Sequence, residues 1–355
     1  KNIPISRSIH QKNIPISLNI HQKNILMLFR ICCKYILRQD FIAPVKSYCI
    51  LSLLDDIKKG KRGAIAKAIS IVENDPKDAK KLLKKIFKDS GNSIVIGITG
   101  PAGSGKSSLI NKTVIALKKL GTKPAVLAID PTSHITGGAI LGDRVRMTES
   151  TDSGTYIRSI ASRGATGAVS NSLRNIIRVL EYSGFNPIII ESVGAGQTDV
   201  EISNIADITV VVFNPNTGDS IQTIKAGLTE IGDIYLVNKS DLSGTNQLFD
   251  AVLDYIVDTE RNPIILKTSV KKNTGITKFA QTLKDLMVSK KKSKKDKNQE
   301  RLEAELKDIV LNNFKEKIGG MLDSDKTFSK YLKKLQSKSI DPFEAGDKIT
   351  KSLLK

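Results

Sequence analysis

Cysteine and histidine are scarce in this chain of 355 residues, with three of each. Cys32, Cys33 and Cys49 all lie near the N-terminus, outside every motif described below, and none shows metal-ligand spacing. That points to a reducing compartment and away from metal delivery. Of His10, His21 and His134, only His134 lies near a motif, and it reads as a loop histidine. No apolar run approaches the roughly 20 residues that a membrane-spanning helix needs. Acidic residues are missing before Asp40, and the first methionine is Met27. Within this stretch KNIPISRSIHQ is followed at once by KNIPISLNIHQ. A duplication this short builds no solenoid. Lack of acids is a presequence trait, yet translated upstream sequence or a fragment start is the expectation. Residues 1–49 are therefore set aside as a leader expected to be disordered.

What is present reads as a soluble globular chain. Hydrophobic residues make up 40% and charged residues 26%, which suits one large domain with extensions or two domains. The net charge of +20 invites a nucleic-acid reading. The lysines are spread through the chain without any nucleic-acid-binding signature, so a compositional bias is the reading, with neither nucleic acid nor membrane as partner.

From residue 50 to 90 the pattern is helical. Ile65, Ile69 and Val72 share one face, Leu82, Leu83, Ile86 and Phe87 form a second stripe, and NDP at residues 74–76 separates the two helices. From 91 to 288 strands alternate with helices. The strand runs are IVIGIT from Ile94, AVLAID from Ala125, PIIIE from Pro187, ITVVVF from Ile208, IYLVN from Ile234 and PIILKTS from Pro263. Continuous apolar strands between helices predict an α/β fold with a mostly parallel sheet covered on both faces. The basic run at 289–297 is expected to be a solvated linker, and 298–355 a small helical extension.

The strand ends carry the unusual residues, where open α/β sheets bind ligands. GPAGSGKS, residues 100–107, fits G-x-x-x-x-G-K-[ST] between a strand and a helix. Gly100, Gly103, Ser104 and Gly105 let backbone N–H groups surround phosphate oxygens, and the helix N-terminus adds its dipole. Lys106 would bridge the β- and γ-phosphates, Ser107 would bind Mg²⁺, and Ser108 continues the loop. NKSD, residues 238–241, follows another strand. The Asp241 carboxylate would accept from guanine N1–H and the 2-amino group, whereas adenine would leave it unpaired, so GTP is selected over ATP. Lys239 would stack along the base and Asn238 would hold the loop. A backbone N–H at Ser269 or Val270, ending the last strand, would read guanine O6. Asp130 at a strand end and Asp143 in a glycine-rich segment suit Mg²⁺ and the attacking water. Glu191 closes the strand before VGAGQ. An acid there needs a cation, and Mg²⁺ or its water shell is the obvious one. Gly194 would give its N–H to the γ-phosphate, a contact broken by hydrolysis.

These stretches, with LAIDPTS, TGGAILGDRVRM, IIIESVGAGQ and SIDPFEAGDKI, strongly resemble the MeaB/ArgK family of P-loop GTPases from about residue 51 to the end. The resemblance implies a homodimeric, Mg²⁺-dependent G-protein chaperone with its C-terminal helices as the dimer arm. It would gate adenosylcobalamin loading and protect or reactivate methylmalonyl-CoA mutase or a sister acyl-CoA mutase. Matching positions assign phosphate and Mg²⁺ binding to Lys106 and Ser107. Asp130, Asp143 and Glu191 fall in the Mg²⁺ and hydrolysis constellation, and Asn238, Lys239 and Asp241 read guanine. Ala195 stands where Ras-like proteins place their water-orienting Gln, so intrinsic hydrolysis is expected to be slow, with Gln197 as a helper. A cytoplasmic location follows, or a mitochondrial matrix one if the leader is genuine. Competing readings are an ATPase or kinase component of lysine/arginine/ornithine transport, which NKSD disfavours, and a nickel metallochaperone, which the lack of Cys and His clusters disfavours.

Overall fold

The computed structural model describes residues 42–130, 154–161, 168–194, 197–215, 232–256, 263–324 and 326–353. The chain divides into two compact units, Lys1–Asp56 and Ile57–Lys355. Helix α1, Ile42–Lys58, starts inside the stretch set aside as leader. Its Pro44 lies in the first turn, where a missing N–H costs nothing.

In the second unit, α2 (Arg62–Asn74) and α3 (Pro76–Ile86) meet at the predicted NDP boundary. Asp75 caps α3 by accepting from the N–H groups of Lys77 and Asp78, and Pro76 occupies the first turn. One face of each helix is buried through Ile65, Ile69, Leu82 and Ile86.

The centre is β1 (Val95–Thr99), followed by α4 (Lys106–Lys119), β2 (Ala125–Asp130), β3 (Tyr156–Ala161), α5 (Ala168–Tyr182), β4 (Ile188–Glu191), α6 (Gln197–Ile205), β5 (Ile208–Phe213), β6 (Ile234–Val237), α7 (Thr245–Ile256) and β7 (Ile264–Lys267). The strands form one sheet in the order β3-β2-β4-β1-β5-β6-β7, with every pairing parallel. Alternation along β5 shows why both faces are covered. Val210 and Val212 join a core with α4, while Val211 and Phe213 join another with Leu248 and Val252 of α7. Each such fully buried aliphatic side chain contributes about 1.5–3 kcal/mol.

Strand β3 was not among the predicted strands. Arg158 and Ser159 interrupt its apolar run, as suits an edge strand paired only with β2 among the described residues.

The basic run at 289–297 is not a linker. It lies inside α8, Ile276–Ser324, a helix of 49 residues and roughly 70 Å. Lysine is a good helix former, and no glycine or proline interrupts residues 276–318. Lys290 and Arg301 also anchor this helix to Asp233 and Asp207. Helices α9 (Lys326–Gln336) and α10 (Pro342–Leu353) follow, the latter capped by Asp341 through the N–H groups of Phe343 and Glu344. No helix among the described residues is long and apolar enough to cross a membrane.

Candidate functional site

The carboxyl ends of β1, β4, β5, β6 and β7 converge on the glycine-rich loop between β1 and α4. Gly105, immediately before α4, has φ of +90°, and a Cβ there would lie 2.6 Å from Asn238 Nδ2. Glycine is thus required both for the turn and for close approach of the β6 loop. The loop carbonyls are tied down from outside. Asn214, just after β5, donates its Nδ2 to the Gly103 carbonyl at 3.1 Å, and Lys239 Nζ donates to the same oxygen at 2.8 Å. Asn238 donates its Nδ2 to the Ser104 carbonyl at 2.9 Å, while its Oδ1 accepts from Thr268 Oγ1 at 3.1 Å. With carbonyls engaged outward and the first turn of α4 facing the loop, the site presents N–H dipoles suited to an anion. The Ser104 hydroxyl is buried without a hydrogen-bond partner among the described residues.

Lys106 is buried and donates to the Gly100 and Pro101 carbonyls at 2.7 and 3.1 Å, which holds its ammonium in the loop. Ser107, one residue further, donates its Oγ to Glu191 Oε1 at 2.6 Å. Strand register makes that contact: β4 lies parallel to β1 with Glu191 opposite Ile98, so the acid emerges beside the loop. Glu191 is 4% exposed, a carboxylate held at low dielectric beside a hydroxyl. Two hard oxygens this close match the donor set of Mg²⁺. Gly194 follows with φ of +81°. A Cβ there would lie 2.3 Å from the Gly100 carbonyl oxygen and 3.0 Å from Lys106 Nζ. The backbone after β4 therefore rests on the loop, within reach of any group held by Lys106.

Beside the loop is a cavity of about 380 Å³, lined by Gly105, Ser108, Asn238, Asp241, Val270 and Lys271 among others. Asp241 Oδ1 accepts from Ser269 Oγ at 2.5 Å. That hydrogen bond, aided by the positive charge of Lys271 and Lys272, holds the Asp241 carboxyl below its ordinary value, so it stays an acceptor. Lys239 lines the same cavity, with its backbone at φ of +55° and its ammonium reaching the phosphate loop. The Ser269 N–H is bonded to the Thr274 carbonyl at 3.0 Å, so Ser269 faces the site through its hydroxyl.

The structure thus brings together the loop residues 100–108, Glu191, Gly194, Asn238, Lys239, Asp241, Ser269 and Val270. Asp130 closes β2, with its backbone opposite Ala161. Asp143 and the side chains of Asp130 and Gln197 lie outside the described residues, although Gln197 opens α6. Sequence reasoning missed three supports: Asn214, Thr268 and the Ser269 hydroxyl. All sit at carboxyl ends of strands, the position that could have singled them out.

A phosphate loop joined to an acceptor-lined base pocket describes a guanine-nucleotide site, and comparison with known proteins agrees. The family model described as "Methylmalonyl Co-A mutase-associated GTPase MeaB" matches residues 65–321. A Pyrococcus abyssi protein named as a GTPase is 39% identical over 312 residues, 85% of this chain and 96% of its own. The mouse mitochondrial methylmalonic aciduria type A homolog is 30% identical over 256 residues, 66% of this chain and 62% of its own. The crystal structure of an LAO/AO transport system kinase shares the fold, with a TM-score of 0.64 at 20% identity over 86% of this chain and 98% of that one. On the family match and the length of these alignments, the chain belongs to the MeaB family of GTPases.

Proposed function

We propose that this GTPase is the GTP-driven chaperone of an adenosylcobalamin-dependent acyl-CoA mutase, methylmalonyl-CoA mutase first among them. In this role it gates cofactor loading and protects or reactivates the enzyme. The family description and the mouse relative's name support the client. The observation that carries the G-protein part is the seat of Gly194 on the phosphate loop, 3.0 Å from Lys106 Nζ for a Cβ placed there. A γ-phosphate held by Lys106 would meet the Gly194 N–H, and its loss would free the segment leading into α6.

Ser107 and Glu191 would hold Mg²⁺, with Asp130 and Asp143 completing the constellation. Bound there, the ion would neutralise charge on the β- and γ-phosphate oxygens. Asp241 selects guanine, which favours this reading over an ATP-dependent transport component. The nickel-delivery reading is disfavoured by the sequence, which from Leu51 onward has no cysteine and the single histidine His134.

A homodimer through the C-terminal arm, in the cytoplasm, belongs to the same proposal. Leu302, Leu306, Ile309, Val310 and Phe314 recur at helical spacing along α8 and are exposed, an apolar stripe suited to a second copy.

The test is steady-state GTP hydrolysis by the purified chain with and without methylmalonyl-CoA mutase from the same source. A slow basal rate raised severalfold by the mutase supports the proposal. No response despite normal GTP binding removes this client and puts a sister mutase next.

A further inference from the structure

Nucleotide-facing residues lie at the carboxyl ends of the strands, whereas α8 is fastened at the opposite edge of the sheet. Lys284 Nζ donates to the Leu120 carbonyl behind α4, at 2.7 Å. Lys290 pairs at 2.6 Å with Asp233, the residue before β6. Arg301 donates to Asp207 Oδ1 at 2.5 Å and to the Ala206 carbonyl at 2.6 Å. Ala206 and Asp207 are the two residues that join α6 to β5.

Like α4, which runs from the phosphate loop to Leu120, helix α6 runs from one edge to the other. Its nine residues, Gln197–Ile205, span about 13 Å. It lies flat on β1 without slack: a Cβ on Gly97 would sit 2.7 Å from Ile202 Cγ2 and 3.1 Å from Ala206 Cβ. A close-packed helix moves as a body, so a shift at its first turn reaches its last. At that far end Asp207 is a buried carboxylate. Its Oδ2 accepts from the Val95 N–H at 2.9 Å, and its own N–H donates to the Val95 carbonyl at 2.7 Å. Arg301 supplies the cation such a charge needs. Cavities of about 320 and 400 Å³ flank this guanidinium between α8 and helices α5 and α6. Arg301 thus bridges a gap that apolar packing leaves open.

We infer that Arg301 is a positioning residue that latches the long C-terminal helix to the far end of α6, so that α8 reads the nucleotide state sensed at Gly194. The inference rests on the proposed γ-phosphate switch. Linkage makes it reciprocal, because whatever grips α8 also biases the nucleotide site. The second fastening, Arg178 to Glu305 at 2.6 Å and Arg174 to Asp308 at 3.2 Å, ties α8 to α5. Arg301 alone among these contacts reaches the end of α6.

Hydrogen–deuterium exchange on the full chain tests this, with GDP or a non-hydrolysable GTP analogue bound in the presence of Mg²⁺. In the wild type, exchange of peptides around residues 298–310 should differ at least about fivefold between the two nucleotides. Arg301→Gln should abolish that difference while the response of residues 191–205 persists, and Arg301→Lys should keep part of it. A merely structural role would speed exchange equally in both states. The latch is overturned if wild-type α8 exchanges identically with both nucleotides while residues 191–205 respond, or if Arg301→Gln keeps the full difference. No response at residues 191–205 would bring down the switch reading itself, and the latch with it.

Discussion

Replacing Gly194 by alanine tests the switch most directly. The ideal Cβ would lie 2.3 Å from the Gly100 carbonyl oxygen, whereas ordinary van der Waals contact starts near 3.4 Å, so the segment must withdraw by about 1 Å. A hydrogen bond of about 2.9 Å stretched by that amount is lost. For an N–H donating to a phosphate oxygen the loss is about 1.5–3 kcal/mol, or about 10- to 150-fold in affinity. Forcing alanine into a left-handed backbone costs about 1–2 kcal/mol more. That strain bears on the seated segment only, so loss of the hydrogen bond sets the lower bound of the change in discrimination. Gly194→Ala should therefore weaken a non-hydrolysable GTP analogue at least about 10- to 150-fold relative to GDP. Equilibrium titration with fluorescent GDP and GTP analogues reads the ratio. A wild-type ratio in the variant, with both affinities shifted alike, would show that Gly194 touches the loop whatever the nucleotide, and the γ-phosphate contact would be refuted.

Four further outcomes are expected. Asp241→Asn should lose the preference for GTP over ATP and gain affinity for xanthine nucleotides, whose C2 carbonyl accepts where guanine donates; competition binding checks it. Because Asp241 is held below its ordinary value, it remains ionised at every pH above the usual carboxylate range. Guanine affinity should then stay flat down into that range and fall only as pH drops through the lowered value. Ser269→Ala removes the largest cause of that lowering, so the loss should move to higher pH in a titration series. Gly97→Ala should destabilise the chain by about 1–3 kcal/mol in urea, because its Cβ would meet Ile202 Cγ2 at 2.7 Å. Ile202→Ala in the same chain should recover part of this, and strict additivity would count against the contact. Ser104→Ala should be neutral or stabilise by up to about 1 kcal/mol without nucleotide, since the buried hydroxyl forfeits no bond; a clear loss of stability would contradict this.

Local chemistry was legible in the sequence because it is written in contiguous residues. The phosphate loop needs glycines and a lysine in fixed succession, and NKSD places its carboxylate four residues beyond the strand. Six of the seven strands could be read as β-branched runs. Tyr156–Ala161 could not, because an edge strand has one neighbour to satisfy and tolerates Arg158 and Ser159. A run of lysines likewise carries no local sign of what it rests on. Residues 289–297 read as a linker because nothing nearby in sequence shows Asp233 and Asp207 waiting at the sheet edge.

The sequence by itself determined the nucleotide class, the loop that holds phosphate and the alternation that makes a parallel sheet, since each follows from neighbours along the chain. Tertiary structure alone decided what meets across it. Parallel register between β1 and β4 sets Glu191 against Ser107, 84 residues away. Pairing of β6 with β7 brings Ser269 to Asp241. Fastening of α8 at the amino ends of the strands joins Arg301 to the end of α6. Such contacts depend on the register and crossing of elements far apart in sequence, and short-range propensity carries no record of either.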